Sequence, residues 1–203
     1  MTIHTWPQLS RIAPGSLDWG YTSNTQTFAS PLSGSVQTME LPGTRWRFSF
    51  DMGTLNPDDS ALLRGWLMLL RGQSGRFYMH NMAHPHPRGA AGGTPVVSGA
   101  GQSGISLVTS GWPAGATVLK TGDFFEVNGE LKMSVSDPVA NGSGVATLTF
   151  EPPMRNSPAN GAAITTSKPK AVFKLDEDTV RWLSQPSMRG PVSTFPISAT
   201  EAW

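Results

Sequence analysis

The sequence predicts a mainly β fold with one prominent α-helix, arranged as a β-sandwich-like domain plus a small inserted or appended β-barrel. Three observations lead to this prediction. The 203 residues include 22 glycines and 17 prolines, which suits short strands joined by turns and argues against an all-helical chain. Residues 44–52 alternate between polar and apolar side chains, and the segment after them carries apolar side chains at helical spacing.

The strand predicted at residues 44–52 has one buried face. Side chains of successive strand residues point to opposite sides, so its apolar members share one side of the strand. Those members are Trp46, Phe48, Phe50 and Met52.

A helix is predicted at residues 57–71. Asn56 is a favourable N-cap, Pro57 suits the first helical position, and acidic residues follow in the first turn. Gly72 suits the position just past the end. The apolar stripe of this helix is wide, so we expect it to pack across a sheet.

The rest of the chain predicts short strands. They are expected at residues 76–80, 105–109, 123–127, 130–135, 145–151, 162–166 and 170–175. Asn128-Gly129 favours a tight hairpin turn. Residues 81–104 predict a long loop or domain crossing, and 176–183 a helical turn.

These elements suggest three segments. Residues 1–90 would form an N-terminal arm and the β/α domain, 91–167 the small barrel-like domain, and 168–203 a return to the first domain.

Composition excludes several classes of protein. The chain has no cysteine, which removes disulfides, thiol nucleophiles and Cys-ligated zinc. Its 15 basic and 14 acidic residues form no basic run, so nucleic acid is not an expected partner. No long apolar run predicts a membrane span, and the start of the chain lacks the pattern of a signal peptide.

A histidine cluster is the one tempting metal site. His80, His84 and His86 offer imidazole ligands, which transition metals favour. Their spacing matches no familiar signature, and Pro85 and Pro87 place His86 on an irregular loop. The preferred interpretation is a proline-stiffened loop with exposed histidines, so no metal is predicted.

Nor does the sequence predict an enzyme. Asp58 and Asp59 are better explained as helix N-terminal charge than as a glycosidase pair, and residues 176–178 as a solvated acidic turn. A nucleophile elbow and a phosphate-binding loop are both missing. We therefore expect no catalytic residue and no cofactor.

Seven tryptophans suggest an alternative function, a carbohydrate-binding β-sandwich module. Trp46 and Trp66 fall in apolar periodicity and are expected in the core. The other candidates lie in loops or at an end, where their rings could contact sugar or protein; they are Trp6, Trp19, Trp112 and Trp203.

Several stretches with glycines, prolines and aromatics at turns together form one pattern, without an internal repeat. They are Ser30-Pro31-Leu32-Ser33-Gly34, Val36-Gln37, Pro42-Gly43-Thr44-Arg45-Trp46, Leu69-Leu70-Arg71-Gly72, Gly75-Arg76-Phe77, Pro87-Arg88-Gly89, Gly122-Asp123-Phe124-Phe125-Glu126-Val127, Glu151-Pro152-Pro153-Met154-Arg155, Gly161 and Lys168-Pro169. The pattern covers most of residues 30–175 and resembles phage tail structural proteins related to the distal tail protein of siphophages.

This resemblance implies a virion structural protein at the tail tip, made in the cytoplasm of a bacterial host. Such proteins form a homohexameric ring at the end of a long non-contractile tail. The ring connects the tail tube protein to tip, hub or fibre proteins. Barrels on tail rings bind saccharides in some related families, so weak saccharide binding stays open for residues 91–167.

Within such a ring, the terminal arms are expected to reach neighbouring subunits. Both arms are polar with scattered aromatic or apolar side chains, and aromatic side chains are enriched at interface cores. The candidate subunit-interface residues are Trp6, Trp19, Tyr21, Phe28, Phe195 and Trp203. Folding of the N-terminal arm onto its own domain is an equal alternative.

Overall fold

The computed structural model describes residues 2–10, 14–185 and 192–203, and within them the fold is mainly β with one α-helix, as predicted. The helix α1 spans Pro57–Leu70, and a short 3-10 turn follows at Gly72–Ser74. The strands are β1 Ile3–His4, β2 Ser16–Ala29, β3 Val36–Asp51, β4 Arg76–His80, β5 Val96–Val97, β6 Gly104–Ser110, β7 Phe124–Val127, β8 Glu130–Ser134, β9 Ala146–Met154, β10 Ile164–Thr165, β11 Lys170–Leu175, β12 Leu183–Gln185, β13 Val192–Thr194 and β14 Pro196–Glu201.

The chain divides into two compact units. Unit 1 comprises Met1–Arg76 and Phe173–Trp203, and unit 2 comprises Phe77–Val172. The boundaries fall within β4 and β11, whereas the sequence prediction placed them at 90/91 and 167/168.

Unit 1 contains an antiparallel sheet in which β11, β14, β3 and β2 lie in that order. Its buried face follows from the alternation seen in the sequence. Trp46, Phe48 and Phe50 are all buried, and the ring centroids of Phe48 and of Phe173 on β11 are 5.0 Å apart.

Helix α1 begins where the sequence predicts. The side chain of Asn56 accepts a hydrogen bond from the backbone N–H of Asp59 at 2.8 Å, which satisfies a donor that the first turn leaves unpaired. The inward face buries Leu63, Trp66, Leu67 and Leu70.

The helix ends one residue earlier than predicted, because Arg71 adopts the left-handed conformation with φ 53°. Gly72 follows with φ 65° and lies against Asp178. A Cβ on Gly72 would come within 2.6 Å of a carboxylate oxygen and 2.9 Å of the Cα of Asp178. Only glycine fits here without displacing that backbone.

Unit 2 is a nearly closed barrel. Its six strands have the order β10-β7-β8-β9-β6-β5, and a bridge between Val96 and Ala163 joins the two ends of the sheet. The predicted Asn128-Gly129 turn joins β7 to β8, with both residues at positive φ. The interior is filled by Val97, Leu107, Trp112, Val118, Leu119, Phe125, Val127, Ala140, Ala146, Leu148, Phe150, Met154 and Ile164.

Three local predictions need correction. The helical turn expected at 176–183 is wrong, since these residues are bends and coil that lead into β12. The loop expected at 81–104 contains β5 and ends in β6. The strand expected at 44–52 is longer, because β3 starts at Val36 and pairs along its length with β2.

Candidate interaction surface

The longest feature of unit 1 is the hairpin formed by β2 and β3. Its two strands pair antiparallel from Ser16 with Asp51 to Ala29 with Val36. The strand β14 pairs with β3 only at residues 47–51, and β2 is the edge strand of its sheet. Among the described residues, the distal hairpin therefore has two strand edges without a neighbour.

An irregularity separates the base of the hairpin from its distal part. Thr22 pairs with Arg45 and Asn24 with Leu41, so β3 carries two extra residues at this point. The Asn24 side chain donates to the Pro42 carbonyl at 2.9 Å, and Gly43 has φ 125°. Bulges of this kind bend and twist a strand pair.

Beyond the bulge, both faces of the hairpin are exposed. Residues 22–29 and 36–40 are exposed without exception. The apolar members are Phe28, Val36 and Met39, and Leu32 at the tip is 98% exposed. A two-stranded ribbon of this kind is marginally stable in water by itself.

The hairpin also lacks charge. Between Asp18 and Glu40 the sequence contains no charged residue. Edge strands are normally protected from pairing with other chains by charged side chains, prolines or a covering element. Apart from the bulge at its base, this ribbon has few of those protections and is suited to pairing with another strand.

A second apolar surface lies on the outward face of α1. Leu62, Met68 and Leu69 are exposed there, and Ala61 and Gly65 lie between them. A shallow cavity of about 660 Å³ is centred on this stripe. The wide stripe predicted from the sequence thus comprises one buried face and one exposed face.

Of the predicted interface residues, Trp6 and Trp19 contact their own unit. Trp6 packs edge-on against Trp66 on α1, with ring centroids 4.8 Å apart, and against Phe50 on β3. Trp19 stacks on Phe48 at 5.5 Å. The N-terminal segment is held further by Trp66, whose Nε1 donates to the Thr5 carbonyl at 2.7 Å.

The other predicted interface residues differ in exposure. Tyr21 and Phe28 are exposed on the hairpin. Trp203 is also exposed, with the Arg45 guanidinium 4.1 Å from its ring centroid. Phe195 is fully buried in unit 1, so its side chain presents no surface to a neighbour in this structure.

The histidine loop is held at one end of unit 2. The backbone N–H of Lys168 donates to the Pro85 carbonyl at 2.6 Å, and His86 Nδ1 lies 3.2 Å from the Ser167 hydroxyl. Burial, and then the charges of Lys168 and His86, lower the pKa of His80. No group of three or more acidic or histidine side chains in the described ranges converges to hold a metal ion.

The carboxylates singled out in the sequence form local structural bonds. Asp59 is buried and accepts from the backbone N–H of Ser10 at 3.0 Å. Asp176 accepts from the Thr200 hydroxyl at 2.6 Å, and Asp178 from the backbone N–H of Gln73 at 3.0 Å. These groups stabilise the turns and helix ends of unit 1.

Two buried carboxylates organise unit 2. Asp123 accepts hydrogen bonds from the backbone N–H groups of Lys120, Arg88 and Gly89, and forms an ion pair with the Arg88 side chain at 3.0 Å. Glu130 forms an ion pair with the buried Lys132 at 2.8 Å. Asp123 thereby joins residues 88–89 to residues 120–123, and Glu130 joins β8 to the end of β9, because it also accepts from the backbone N–H of Arg155 at 3.0 Å.

The barrel offers no exposed aromatic ring. Unit 2 contains six aromatic residues, and five of them are buried: Phe77, Trp112, Phe124, Phe125 and Phe150. The sixth, Tyr78, is half-buried, and the Lys170 ammonium lies 4.3 Å from its ring centroid. Trp112, a candidate sugar contact, instead donates from Nε1 to the Thr109 hydroxyl inside the barrel.

Comparison with known proteins adds no identification. A scan against protein-family models and a search of curated proteins both returned no match. Among the described residues, no helix is long and apolar enough to span a membrane.

Sequence reasoning found this surface only in part. Residues 1–34, rich in Ser, Thr, Pro and Gly, predict an arm or a loosely strand-forming segment, and the structure has β1, β2 and the tip of the hairpin there. The signal that could have indicated the hairpin is the uncharged stretch of 21 residues between Asp18 and Glu40, rich in Thr and Ser. Strands exposed on both faces leave no apolar alternation to detect.

Proposed function

We propose that this chain is a virion structural protein at the distal end of a long non-contractile phage tail. Copies of it assemble into a closed ring that connects the tail tube to tip or fibre proteins. Two observations support the proposal: the family resemblance of residues 30–175 and the β2–β3 hairpin of unit 1.

The hairpin is the observation that carries the proposal. In the distal part of the hairpin, neither strand pairs with a third strand among the described residues. Apolar side chains are exposed there, and residues 19–39 include no charged residue. When β2 of one copy pairs with β3 of the next, two different surfaces meet. A contact of this type closes into a ring if the rotation per subunit is right.

The resemblance supplies the parts of the proposal that the hairpin does not. It implies a ring of six copies, its place at the tail tip and its neighbours, the tube and tip proteins. The chain's low content of charged residues, 14%, fits a protein with large surfaces in contact with other proteins.

The carbohydrate-binding module receives less support. Such a module needs exposed aromatic rings on which sugars stack, and all six aromatic residues of the barrel are buried or half-buried. Tyr21 and Phe28 are exposed on the hairpin, where strand pairing explains them as well, and the exposed Trp182 and Trp203 also lie outside unit 2.

The proposal is tested by blocking the hairpin edge. Thr25 and Thr27 are exposed on β2, so the variant Thr25→Lys/Thr27→Lys adds charge without removing core contacts. We expect an unchanged thermal midpoint for the purified chain. Tails isolated from host cells that supply only this variant should lack the chain.

Thr147→Lys provides the matched control, since Thr147 is an exposed threonine of β9 on the barrel. Tails supplied with this control should contain the chain at the wild-type level. Normal incorporation of the Thr25→Lys/Thr27→Lys variant would contradict the proposed use of the hairpin.

A further inference from the structure

The exposed stripe of α1 is part of a groove that runs along the helix. The hollow of about 660 Å³ adjoins a second one of about 500 Å³ at the end of the helix, and Leu69 lines both. We call the two hollows together the helix groove; Asp58, Leu62, Gly65, Leu69 and Arg71 line it from end to end. Asp58 and Arg71 lie at opposite ends, so the middle of the groove is apolar.

Gly65 lies at the middle of the helix groove, inside α1. Glycine is less favourable in a helix interior than any other residue except proline. A Cβ built on Gly65 would meet no atom of the described chain within 4 Å, so packing within the chain does not require glycine here. Gly65 is exposed, and the missing side chain leaves room for a second molecule to approach the helix closely.

One face of the distal hairpin carries a row of apolar side chains. Residues directly opposite each other in an antiparallel pair lie on the same face, and so do alternate residues of one strand. Phe28 lies opposite Gln37, and Met39 and Leu41 follow Gln37 at steps of two residues. Phe28 and Met39 are exposed and Leu41 is half-buried. We call the row Phe28, Met39 and Leu41 the hairpin face.

The hairpin face and the helix groove match in length and in charge. The strand rises about 14 Å between the position opposite Phe28 and Leu41. Leu62 and Arg71 are nine positions apart, which is also about 14 Å along the helix. Residues 22–41 contain one charged residue, Glu40, which is adjacent to Leu41. When Phe28 lies near Leu62, Glu40 therefore comes close to the guanidinium of Arg71.

We propose that the helix groove receives the hairpin face of a second copy of this chain. The inference rests on the proposed ring and names a second contact within it. Edge-to-edge pairing of hairpins uses backbone groups and leaves the hairpin faces free, so one hairpin can make both contacts. Association removes the apolar side chains of both surfaces from water, which favours it. Two different surfaces meet, as a contact that closes a ring requires.

Cysteine cross-linking detects the contact directly, since the chain has no cysteine of its own. Tails carrying the variant Met39→Cys/Leu69→Cys are treated with a short thiol-specific cross-linker and separated on a denaturing gel. We expect a ladder of multiples of the chain beyond the dimer, because each copy links its hairpin face to the groove of the next. The control Met39→Cys/Thr147→Cys, with its second thiol on the barrel, should give no ladder.

Filling the groove tests the same contact without a cross-linker. Gly65→Gln adds a side chain on the outside of α1 and improves the helix propensity, so the thermal midpoint of the purified chain should be unchanged or higher. Tails from host cells that supply only this variant should lack the chain. Gly142→Gln is the matched control, because a Cβ on Gly142 in unit 2 also meets no described atom within 4 Å. Its incorporation should equal that of the wild type.

The outcomes separate this contact from the proposed function. Absence of the wild-type chain from tails would overturn both. Tails that contain the chain but give no ladder with Met39→Cys/Leu69→Cys would overturn the groove contact alone, and so would normal incorporation of Gly65→Gln. Cross-linking of Leu69→Cys to a different tail protein would assign the groove another occupant and would also overturn it.

Discussion

At the scale of single residues, Asp123 connects two of the sequence stretches that carry the family resemblance. Its carboxylate accepts from the backbone of Arg88 and Gly89, 35 and 34 positions earlier, and from Lys120 nearby. The sequence shows these stretches as separate glycine-containing turns. Their pairing depends on the folded barrel and could not be predicted from spacing.

Replacing Asp123 by Asn should destabilise the chain by about 1–3 kcal/mol. The amide NH2 of Asn would replace a carboxylate oxygen that now accepts hydrogen bonds from backbone N–H groups, so those N–H groups would lose their acceptor. Urea denaturation followed by tryptophan fluorescence measures this loss. Glu177→Gln, at an exposed carboxylate, is the matched control and should change little. If the urea midpoint of Asp123→Asn equals that of Glu177→Gln, the hydrogen bonds to Asp123 do not contribute to stability.

The lowered pKa of Glu130 predicts how the stability of unit 2 changes with pH. Burial alone would raise its pKa, but the hydrogen bond and charge of Lys132 and the backbone N–H groups of Arg155 and Asn156 lower it overall. A folded pKa below the ordinary value of 4.5 means that the unfolded chain binds the proton more readily. This contribution to stability is therefore present above about pH 4.5 and lost as the pH falls further.

The measurement is the free energy of unfolding between pH 7 and pH 3. In the Glu130→Gln variant the decline below pH 4.5 should be shallower than in the wild type. Parallel declines in the two proteins would contradict the assignment. The burial of Lys132, the partner of Glu130 in this ion pair, could not be predicted, since lysine is rarely fully buried.

At the scale of elements, α1 was the most predictable part of the chain. Its cap, its first turn and its apolar spacing are local features, and the structure confirms the start at Pro57. The spacing of apolar residues does not reveal which of them are buried against other elements. In the structure one row of apolar side chains on α1 is buried and another is exposed.

Leu67 and Leu69 test this separation within one helix. Leu67 is 2% exposed, so Leu67→Ala should cost about 2–5 kcal/mol in chemical denaturation. Leu69 is 62% exposed, and Leu69→Ala in the isolated chain should have a much smaller effect. Equal costs for the two variants would mean that the helix faces are wrongly assigned.

The hairpin illustrates the limit of sequence reasoning at this scale. Strand prediction depends on one side being buried, and residues 44–52 meet that condition while 22–40 do not. The sequence therefore predicted the base of β3 and left residues 1–34 open between an arm and a loosely strand-forming segment. It did not predict the pairing of β2 with the distal part of β3. In a ring, neighbouring copies would supply the buried environment that the single chain lacks.

At the scale of the whole molecule, the proposed ring requires surfaces that contact other copies of the chain. Trp6 and Trp19, predicted to reach a neighbour, pack within their own unit. Tyr21 and Phe28 are exposed on the hairpin and stay candidates for the interface. The mainly β class and the small barrel could be predicted from turns and strand spacing, but the exposed faces of the distal hairpin could not.

A reconstruction of the virion tail tip by electron microscopy tests the ring most directly. We expect a closed ring of six copies of this chain at the end of the tail tube. In it, the strands of residues 16–29 of one copy and 36–46 of the next should lie edge to edge. A tail tip that lacks this chain, or that carries it as a single peripheral copy, would contradict the account.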